Sequence, residues 1–450
     1  MFCLMDAHSF YASCEQVMRP SLRSVPFVVL GSNDGCVVAR SELARDIGIK
    51  MGVPWFKIKD MQDSHGLISA SANFPLYCDM SARMHSLLSG LSPDVFQYSV
   101  DEAMANLEGM PGDHTERAWR MRDRIETWLG LATGAGIGKT RTLAKLASHI
   151  SKQAFRRPGT YPSDMAQVCN LGNITPELLR ECMANTPVGE VWGIGRRYAE
   201  QLLDGGILTA LDLANLDVHT ARRRWGINME RTIRELNGIS CITLEGSATR
   251  QQIMCSRSLA VPAGPLRELE QLATQFATNT ARKLRQQGSV CAAVSVFAST
   301  SPFRPGTRIA RSAVVPLAMA TDDTRQLASA AVQGMRQLYE PHHEIVKVGV
   351  MLLDISSRAE ATAQGRFELF PDAPGAATAE GPLSDKAHAL MQAIDGVNDR
   401  YGRDSIRTGN AWVGGGGTAV FGQSGDDAVF QRTHNGAHAG FAALEIYHGI

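Results

Sequence analysis

The chain has 450 residues, 44% of them hydrophobic and 20% charged, with 45 Lys+Arg against 45 Asp+Glu. That length exceeds one ordinary core, and that composition excludes a disordered or fibrous protein, so several globular domains are expected. Zero formal charge gives no global hint of nucleic acid, yet residues 250–354 hold twelve Lys/Arg against seven Asp/Glu, a basic segment that suits either a solvated face or phosphate contact.

The start, Phe2-Cys3-Leu4-Met5, is a short apolar run that reads as a buried strand ending on Asp6. It lacks a basic n-region and a long apolar stretch, so no signal peptide is expected, and nothing approaches the ~20 apolar residues of a membrane span. The nine cysteines form no CxxC pair; reduced, mostly buried thiols in the cytoplasm are expected, rather than zinc ligands or disulfides. Ser9–Val17 reads as a helix stopped by Arg19-Pro20, Phe27–Leu30 as a second strand, Ser32-Asn33-Asp34-Gly35 as a turn, and Cys36–Arg40 as a strand. Helices follow at Ser41–Ile47 and at Met80–Leu91, the latter capped by Ser81 or Asp79. Phe96, Tyr98 and Val100 alternate with Gln97 and Ser99, and Met104 and Leu107 continue the pattern, which places Asp101-Glu102 at or near the turn of a hairpin. Thr115–Leu129 is an amphipathic helix, Leu131–Gly138 a Gly/Ala-rich strand and loop, and Thr140–Lys152 a helix with Leu143, Leu146, Ala147 and Ile150 on one face.

Composition shifts at Arg156-Arg157-Pro158-Gly159, and short helices with tight turns fill Pro176–Gly238. After a linker at Gly246–Gln251 the order is strand (Ile253–Leu259), helix (Leu266–Gln286), strand (Val290–Ser299), strand (Arg308–Pro316), helix (Thr324–Leu338) and strand (Val346–Ile355), a βαββαβ domain. From Ser356 the chain is rich in Gly, Ala, Asp and Pro and reads as a largely flexible tail with one short helix near Lys386–Val397.

Asp6, Asp101 and Glu102 stand at the ends of buried strands, which suits Mg²⁺-dependent phosphoryl transfer: two hard cations need oxygen ligands held together on rigid elements. Asp at a strand end also serves as a cap or turn residue. Adjacent strand residues point to opposite faces, so Asp101 and Glu102 share a site only if the backbone bends there. Gly138-Lys139-Thr140 before a helix has the look of a phosphate-binding P-loop, but that motif needs Gly at position 133, where this chain has Thr. A tight strand-to-helix connection is the better reading.

The segments MFCLMDAHSFYASCE, NDGCVVAR, YSVDEA, GIGKTRTLAKLASHISK and WGIGRR, in this order and spacing, resemble Y-family translesion DNA polymerases, and within them the UmuC-type catalytic subunit of the bacterial SOS mutagenic polymerase. The resemblance covers about Met1 to Ile355 well and reaches weakly to Trp412. It implies an α/β multidomain fold with a polymerase palm (1–22 and 78–165), small fingers (23–77), a helical thumb with a helix–hairpin–helix (166–240), a linker (241–251), a βαββαβ little finger (252–355) and the tail (356–450).

It also implies roles. Asp6, Asp101 and Glu102 are the catalytic acids and, with the Ala7 carbonyl, ligate two Mg²⁺. Tyr11 matches the steric gate, whose ring leaves no room for a ribose 2′-OH. Arg45 and Lys152 match the cations that meet the triphosphate of the dNTP. Gly193 and Gly195 let a tight turn face a DNA phosphate beside Arg196 and Arg197. In the little finger Arg257, Arg282, Lys283, Arg285, Arg304, Arg308 and Arg311 supply a positive strip, of which Arg257 and Arg308 are the expected DNA contacts. Phe367, Leu369 and Phe370 lie where relatives carry a peptide for a sliding clamp, with Arg366 in place of Gln. Primer–template DNA, a UmuD-type accessory subunit and a recombinase filament are the other implied partners, with no membrane.

Three departures from the family stand out. His8 replaces a common Asn, the sequence past about Val413 leaves the family pattern, and Glu42 places a carboxylate three residues before Arg45, where it repels a triphosphate unless it turns away. The rival readings are a catalytically decayed DNA-binding accessory protein, which needs no metals, and a P-loop-like NTPase.

Overall fold

A computed structural model describes residues 1–243, 249–303, 307–364, 385–402 and 405–407. The described chain divides into two compact units, one on residues 1–245 and one on residues 246–423.

The first unit begins with β1 (Phe2–Ala7), whose residues from Cys3 onward are all buried, and α1 (Phe10–Met18). A small sheet follows, made of β2 (Phe27–Leu30), β3 (Val37–Arg40) and, after the short helices α2 (Glu42–Asp46) and α3 (Met61–His65), β4 (Ile68–Ser71). Its order is β3-β2-β4, and Val28, Leu30, Val37, Ala44 and Ile49 form its own small core. The chain returns through α4 (Phe74–Ser89), β5 (Val95–Gln97), β6 (Glu102–Asn106), α5 (His114–Leu129), β7 (Thr133–Gly138), α6 (Arg141–Arg156) and β8 (Val168–Asn170). The five strands of the larger sheet lie in the order β5-β6-β1-β7-β8, so β1 is central.

Local chemistry explains the tightest packing in this unit. β7 and β8 are parallel, so α6 must cross between them as a βαβ connection. It can lie on β7 because β7 alternates glycine. A Cβ on Gly136 would sit 2.1 Å from the Ser148 nitrogen, and one on Gly138 2.5 Å from the Ala144 nitrogen. Helix α4 starts earlier than its periodicity suggests. Asn73, not Ser81 or Asp79, caps it, accepting from the Leu76 N–H at 3.2 Å. Pro75 falls in the first turn, where its missing N–H costs nothing.

Helices α7 (Pro176–Ala184), α8 (Arg196–Asp204), α9 (Ala210–Ala214), α10 (Val218–Trp225) and α11 (Ile227–Leu236) form a bundle. Its core joins the inner face of α6, where Leu143, Leu146 and Ile150 meet Leu202, Leu213, Trp225 and Ile233. Glu235, fully buried, ties bundle to sheet. Its carboxylate accepts N–H bonds from Thr142 (2.9 Å), Cys241 (3.0 Å) and Ile242 (2.9 Å), and the Thr140 hydroxyl donates to its main-chain carbonyl (2.8 Å).

The second unit runs β9 (Ile253–Ala263), α12 (Leu266–Gln286), β10 (Ser289–Ser299), β11 (Ala310–Thr321), α13 (Thr324–Leu338), β12 (Ile345–Ser357), the βαββαβ order expected. The sheet is antiparallel in the order β11-β10-β12-β9, with a core from Leu272, Phe276, Val294, Val296, Leu327, Val348 and Val350. Helix α14 (Arg358–Gln364) follows in the stretch read as largely flexible, and α15 (Asp385–Tyr401) lies where one short helix was expected near Lys386–Val397, reaching further at its C-terminal end. No helix among the described residues is long and apolar enough to cross a membrane.

Candidate active site

The site lies at the end of the larger sheet where β1 and β6 meet. Asp6 and Glu102 face each other across the antiparallel ladder. Asp101 immediately precedes β6, and its carbonyl accepts the Ala7 N–H at 2.9 Å. The bend required between the two acids is present: the Glu102 carbonyl accepts both the Tyr98 and Ser99 N–H groups, at 3.0 and 3.1 Å. That closes the hairpin and turns Asp101 off the strand, where the Ser99 hydroxyl donates to its carboxylate at 2.5 Å.

Crowded, half-dry acids resist ionisation. Burial, and then the neighbouring Asp6 charge, raise Asp101 above the usual carboxylate range. The same two causes, in the same order, raise Glu102 further, against the pull of Lys145. Helix α6 supplies the compensating charges. Lys145 Nζ lies 2.7 Å from Glu102, Lys152 Nζ pairs with Asp6, and Arg156 Nη2 lies 3.3 Å from Glu42. Among the described residues no group of three or more His, Cys, Asp or Glu is gathered as a metal cage. The donor chemistry nevertheless fits a divalent ion: three oxygen-bearing acids at neighbouring strand ends, two of them destabilised by negative charge that a cation would relieve.

Ser9 has left-handed backbone angles (φ 48, ψ 43), rare for a residue with a side chain. It turns the chain from Asp6 into α1 and places Tyr11 in a half-buried aromatic cluster. The Tyr11 ring stacks on Tyr77 at 4.4 Å between centroids and meets Phe74 edge-on at 5.9 Å. Its hydroxyl is pushed up to about 12, by burial first and then by Asp101. His8 is pushed down to about 4, by burial and then by Lys152, so it is neutral at physiological pH.

Arg45 reaches both Glu42 (2.8 Å) and the Ser9 hydroxyl (3.4 Å). The structure thus gathers Asp6, Ala7, Tyr11, Arg45, Asp101, Glu102 and Lys152 around one end of the sheet. Sequence reading missed Arg156, Lys145 and Arg40, whose guanidinium donates to the Ile49 carbonyl within the same cationic group. The available signal was spacing: Lys145, Lys152 and Arg156 lie seven and then four residues apart, a single stripe of a helix. Ending the helix at Lys152 hid it.

The Gly138-Lys139-Thr140 segment is no phosphate cradle. Thr140 caps α6, its hydroxyl accepting from Leu143 at 3.2 Å, while the preceding glycines admit α6 onto β7. The NTPase reading loses its site.

Gly193 has a positive φ of 89° and Gly195 forms the N-cap of α8, with open space around its Cα. Arg196 and Arg197 are exposed, Arg196 in a loose pair with Glu200 at 3.4 Å. The turn is joined to the sheet through Trp192, whose Nε1 donates to the Tyr98 hydroxyl at 3.0 Å, while Lys145 Nζ sits 4.1 Å over the Tyr98 ring.

In the second unit the expected positive strip is thinner. The Arg285 side chain is 6% exposed and pairs with Asp395 at 2.7 Å, Arg282 pairs with Asp399, and Arg311 meets Glu340 at 2.5 Å. Helix α15, where a short helix was expected near Lys386–Val397, supplies two of those acids, Asp395 and Asp399. Arg257 and Arg308 are exposed, with no ion pair among the described residues. Arg304 and the segment Arg366–Phe370, with Phe367, Leu369 and Phe370, lie outside the described residues.

Comparison with known proteins accounts for this arrangement. The model of the impB/mucB/samB family matches residues 5–149, and that of its C-terminal domain matches residues 250–367. The chain is 38% identical to protein UmuC of Salmonella typhimurium over 90% of this chain and 92% of that one. It is 37% identical to protein SamB of the same species over 88% and 90%, and 26% identical to DNA polymerase IV of Pelotomaculum thermopropionicum over 90% and 93%. Its fold is similar to that of a Y-family DNA polymerase chimera built on Dbh, with a TM-score of 0.62 at 18% identity, covering 79% of this chain and 99% of that one. Both family domains and the extent of these likenesses show that the chain belongs to the impB/mucB/samB family.

Proposed function

We propose that this DNA polymerase adds deoxynucleotides to a primer with low fidelity, at the meeting point of β1 and β6, opposite template bases that include damaged ones. The observation that carries the proposal is the pairing of Asp6 with Glu102 across adjacent strands, Asp101 beside them, under a helix that presents Lys145 and Lys152. Asp6, Asp101, Glu102 and the Ala7 carbonyl are the groups that would hold two Mg²⁺. When bound, these ions lower the pKa of a primer 3′-hydroxyl and neutralise the leaving pyrophosphate. Lys152 exchanges Asp6 for a phosphate oxygen of the incoming dNTP, and Arg45 takes another. Tyr11, held by stacking on Tyr77, lies against C2′ of the sugar and excludes a 2′-hydroxyl. A pocket that checks base-pair shape loosely accepts more errors and more lesions.

The palm is residues 1–22 and 78–165, extended by β8; the fingers are 23–77, the thumb the bundle that follows β8 to residue 240, and the little finger 252–355. The turn at Gly193 and Gly195, with Arg196 and Arg197, grips the DNA backbone without reading sequence, and Arg257 and Arg308 add contacts to the duplex. Phe367, Leu369 and Phe370 dock a sliding clamp, and a UmuD-type subunit and a recombinase filament assemble with the enzyme in the cytoplasm. Primer extension with Mg²⁺ tests the reading. Wild type extends the primer and the D101A/E102A variant does not; equal extension by both defeats it.

A further inference from the structure

We propose that Glu42 is a built-in competitor for the incoming triphosphate, occupying Arg45 and Arg156 in a phosphate-like bridge and so lowering nucleotide affinity. The inference rests on the reading that Arg45 meets the triphosphate. Glu42 uses both carboxylate oxygens: Oε2 lies 2.8 Å from Arg45 Nη1 and Oε1 3.3 Å from Arg156 Nη2. One anion spanning two guanidinia is the arrangement a phosphate group adopts between paired arginines. The two arginines come from distant parts of the chain, Arg45 from α2 and Arg156 from the last residue of α6.

The surroundings are cationic. Arg40 and Arg156 are held below the usual guanidinium range by burial first and then by Arg45, with Glu42 opposing. Lys152 lies on the same stripe of α6 as Arg156, already committed to Asp6. Glu42 is therefore the counter-charge of this group, and any ligand that takes its arginines must be more anionic than one carboxylate. A triphosphate satisfies that condition. The Glu42 side chain is 54% exposed, against 26% for each arginine, so it can swing into water once displaced. Exposed ion pairs are weak, so the bridge taxes nucleotide binding without blocking it.

Single-nucleotide insertion kinetics on primer–template DNA test the proposal, comparing wild type, E42Q, E42A and E116Q. Glu116 is exposed on α5 and paired with Arg120, so E116Q makes the same charge change away from the site. Removing the competitor is expected to lower KM for the dNTP by about two- to tenfold, two weak pairs being released, while kcat changes less than KM. The inhibition constant of inorganic tripolyphosphate falls in parallel, and E116Q shifts neither. In an R156A background the E42Q effect shrinks. A KM that is unchanged or raised in active E42Q and E42A overturns the proposal, because Glu42 would then organise the arginines rather than compete for them. That outcome is separate from failure of the polymerase reading, which appears as extension that survives D101A/E102A.

Discussion

Replacing Gly136 with alanine is the most direct test of how the site is built. The glycine lies in β7 under α6, where an added Cβ would stand 2.1 Å from the Ser148 nitrogen, 2.3 Å from the Ala144 oxygen and 2.7 Å from the Ala147 carbonyl carbon. All three are backbone atoms, so no side chain can rotate away. Ordinary contact begins at 3.4 Å, and α6 must therefore retreat by about 1 Å or the strand must bow. Overpacking of this kind costs about 1–3 kcal/mol, and backbone-on-backbone contact places Gly136→Ala at the upper end. The retreat also carries Lys145, Lys152 and Arg156 with it. A misplacement of about 1 Å in positioning groups lowers kcat/KM by on the order of a hundredfold. Thermal or urea unfolding reads the first effect and primer extension the second. A variant whose Tm lies within about 2 °C of wild type, and whose extension rate is unaltered, would mean that α6 does not depend on the missing Cβ.

Two further outcomes follow from the same geometry. Tyr11→Ala is expected to admit ribonucleotides, with a loss of sugar discrimination of up to about a hundredfold, the scale on which a pocket rejects an added hydroxyl by shape; unchanged discrimination removes Tyr11 from the gate. Glu235→Ala strands three buried N–H donors, at about 1–3 kcal/mol each if left unpaired, so denaturant unfolding should show a loss of about 3 kcal/mol or more, and Glu235→Gln a smaller one because its carbonyl still accepts the Cys241 and Ile242 bonds. Equal, small losses for both variants would mean that the carboxylate does not tie the bundle to the sheet.

Much of the candidate site was legible because its residues sit where local pattern changes. Asp6 ends an apolar run and Asp101-Glu102 interrupts an alternating one, so both positions are marked without any structure. The motifs around them carried the rest. What escaped depends on contacts between distant segments. The start of α4 was placed too late, at Met80, whereas Asn73 caps it and Pro75 sits in its first turn, where proline is favourable. Arg156 was left out because the helix was ended at Lys152, whereas α6 runs one turn further, to Arg156, before it stops at Arg157-Pro158-Gly159. Arg282 and Arg285 looked like a phosphate-facing strip until α15 brought Asp399 and Asp395 to them. Charge counts locate a basic segment, but only tertiary structure says which charges are already matched.

The stripe on α6 explains how so much negative charge can sit at one end of a sheet. At about 1.5 Å of rise per residue, Lys145, Lys152 and Arg156 spread over about 16 Å of helix, and each faces a different acid: Glu102, Asp6 and Glu42. The helix bearing them is fixed from behind, by glycines in β7 and by Glu235 at its N-terminal turn. Rigid spacing makes the three pairs separately exchangeable. On the proposed reading, a cation held between Asp6 and Glu102 would free Lys145 and Lys152, and a polyanion held at Arg45 and Arg156 would free Glu42. Each exchange swaps one partner for another of the same sign, so neither a buried acid nor a guanidinium is left without a counter-charge at any point. A site arranged in this way would gain ligand affinity by substitution rather than by filling an uncompensated field, so its affinity would be set by how strongly the internal partners hold, and at Arg45 and Arg156 that partner is Glu42.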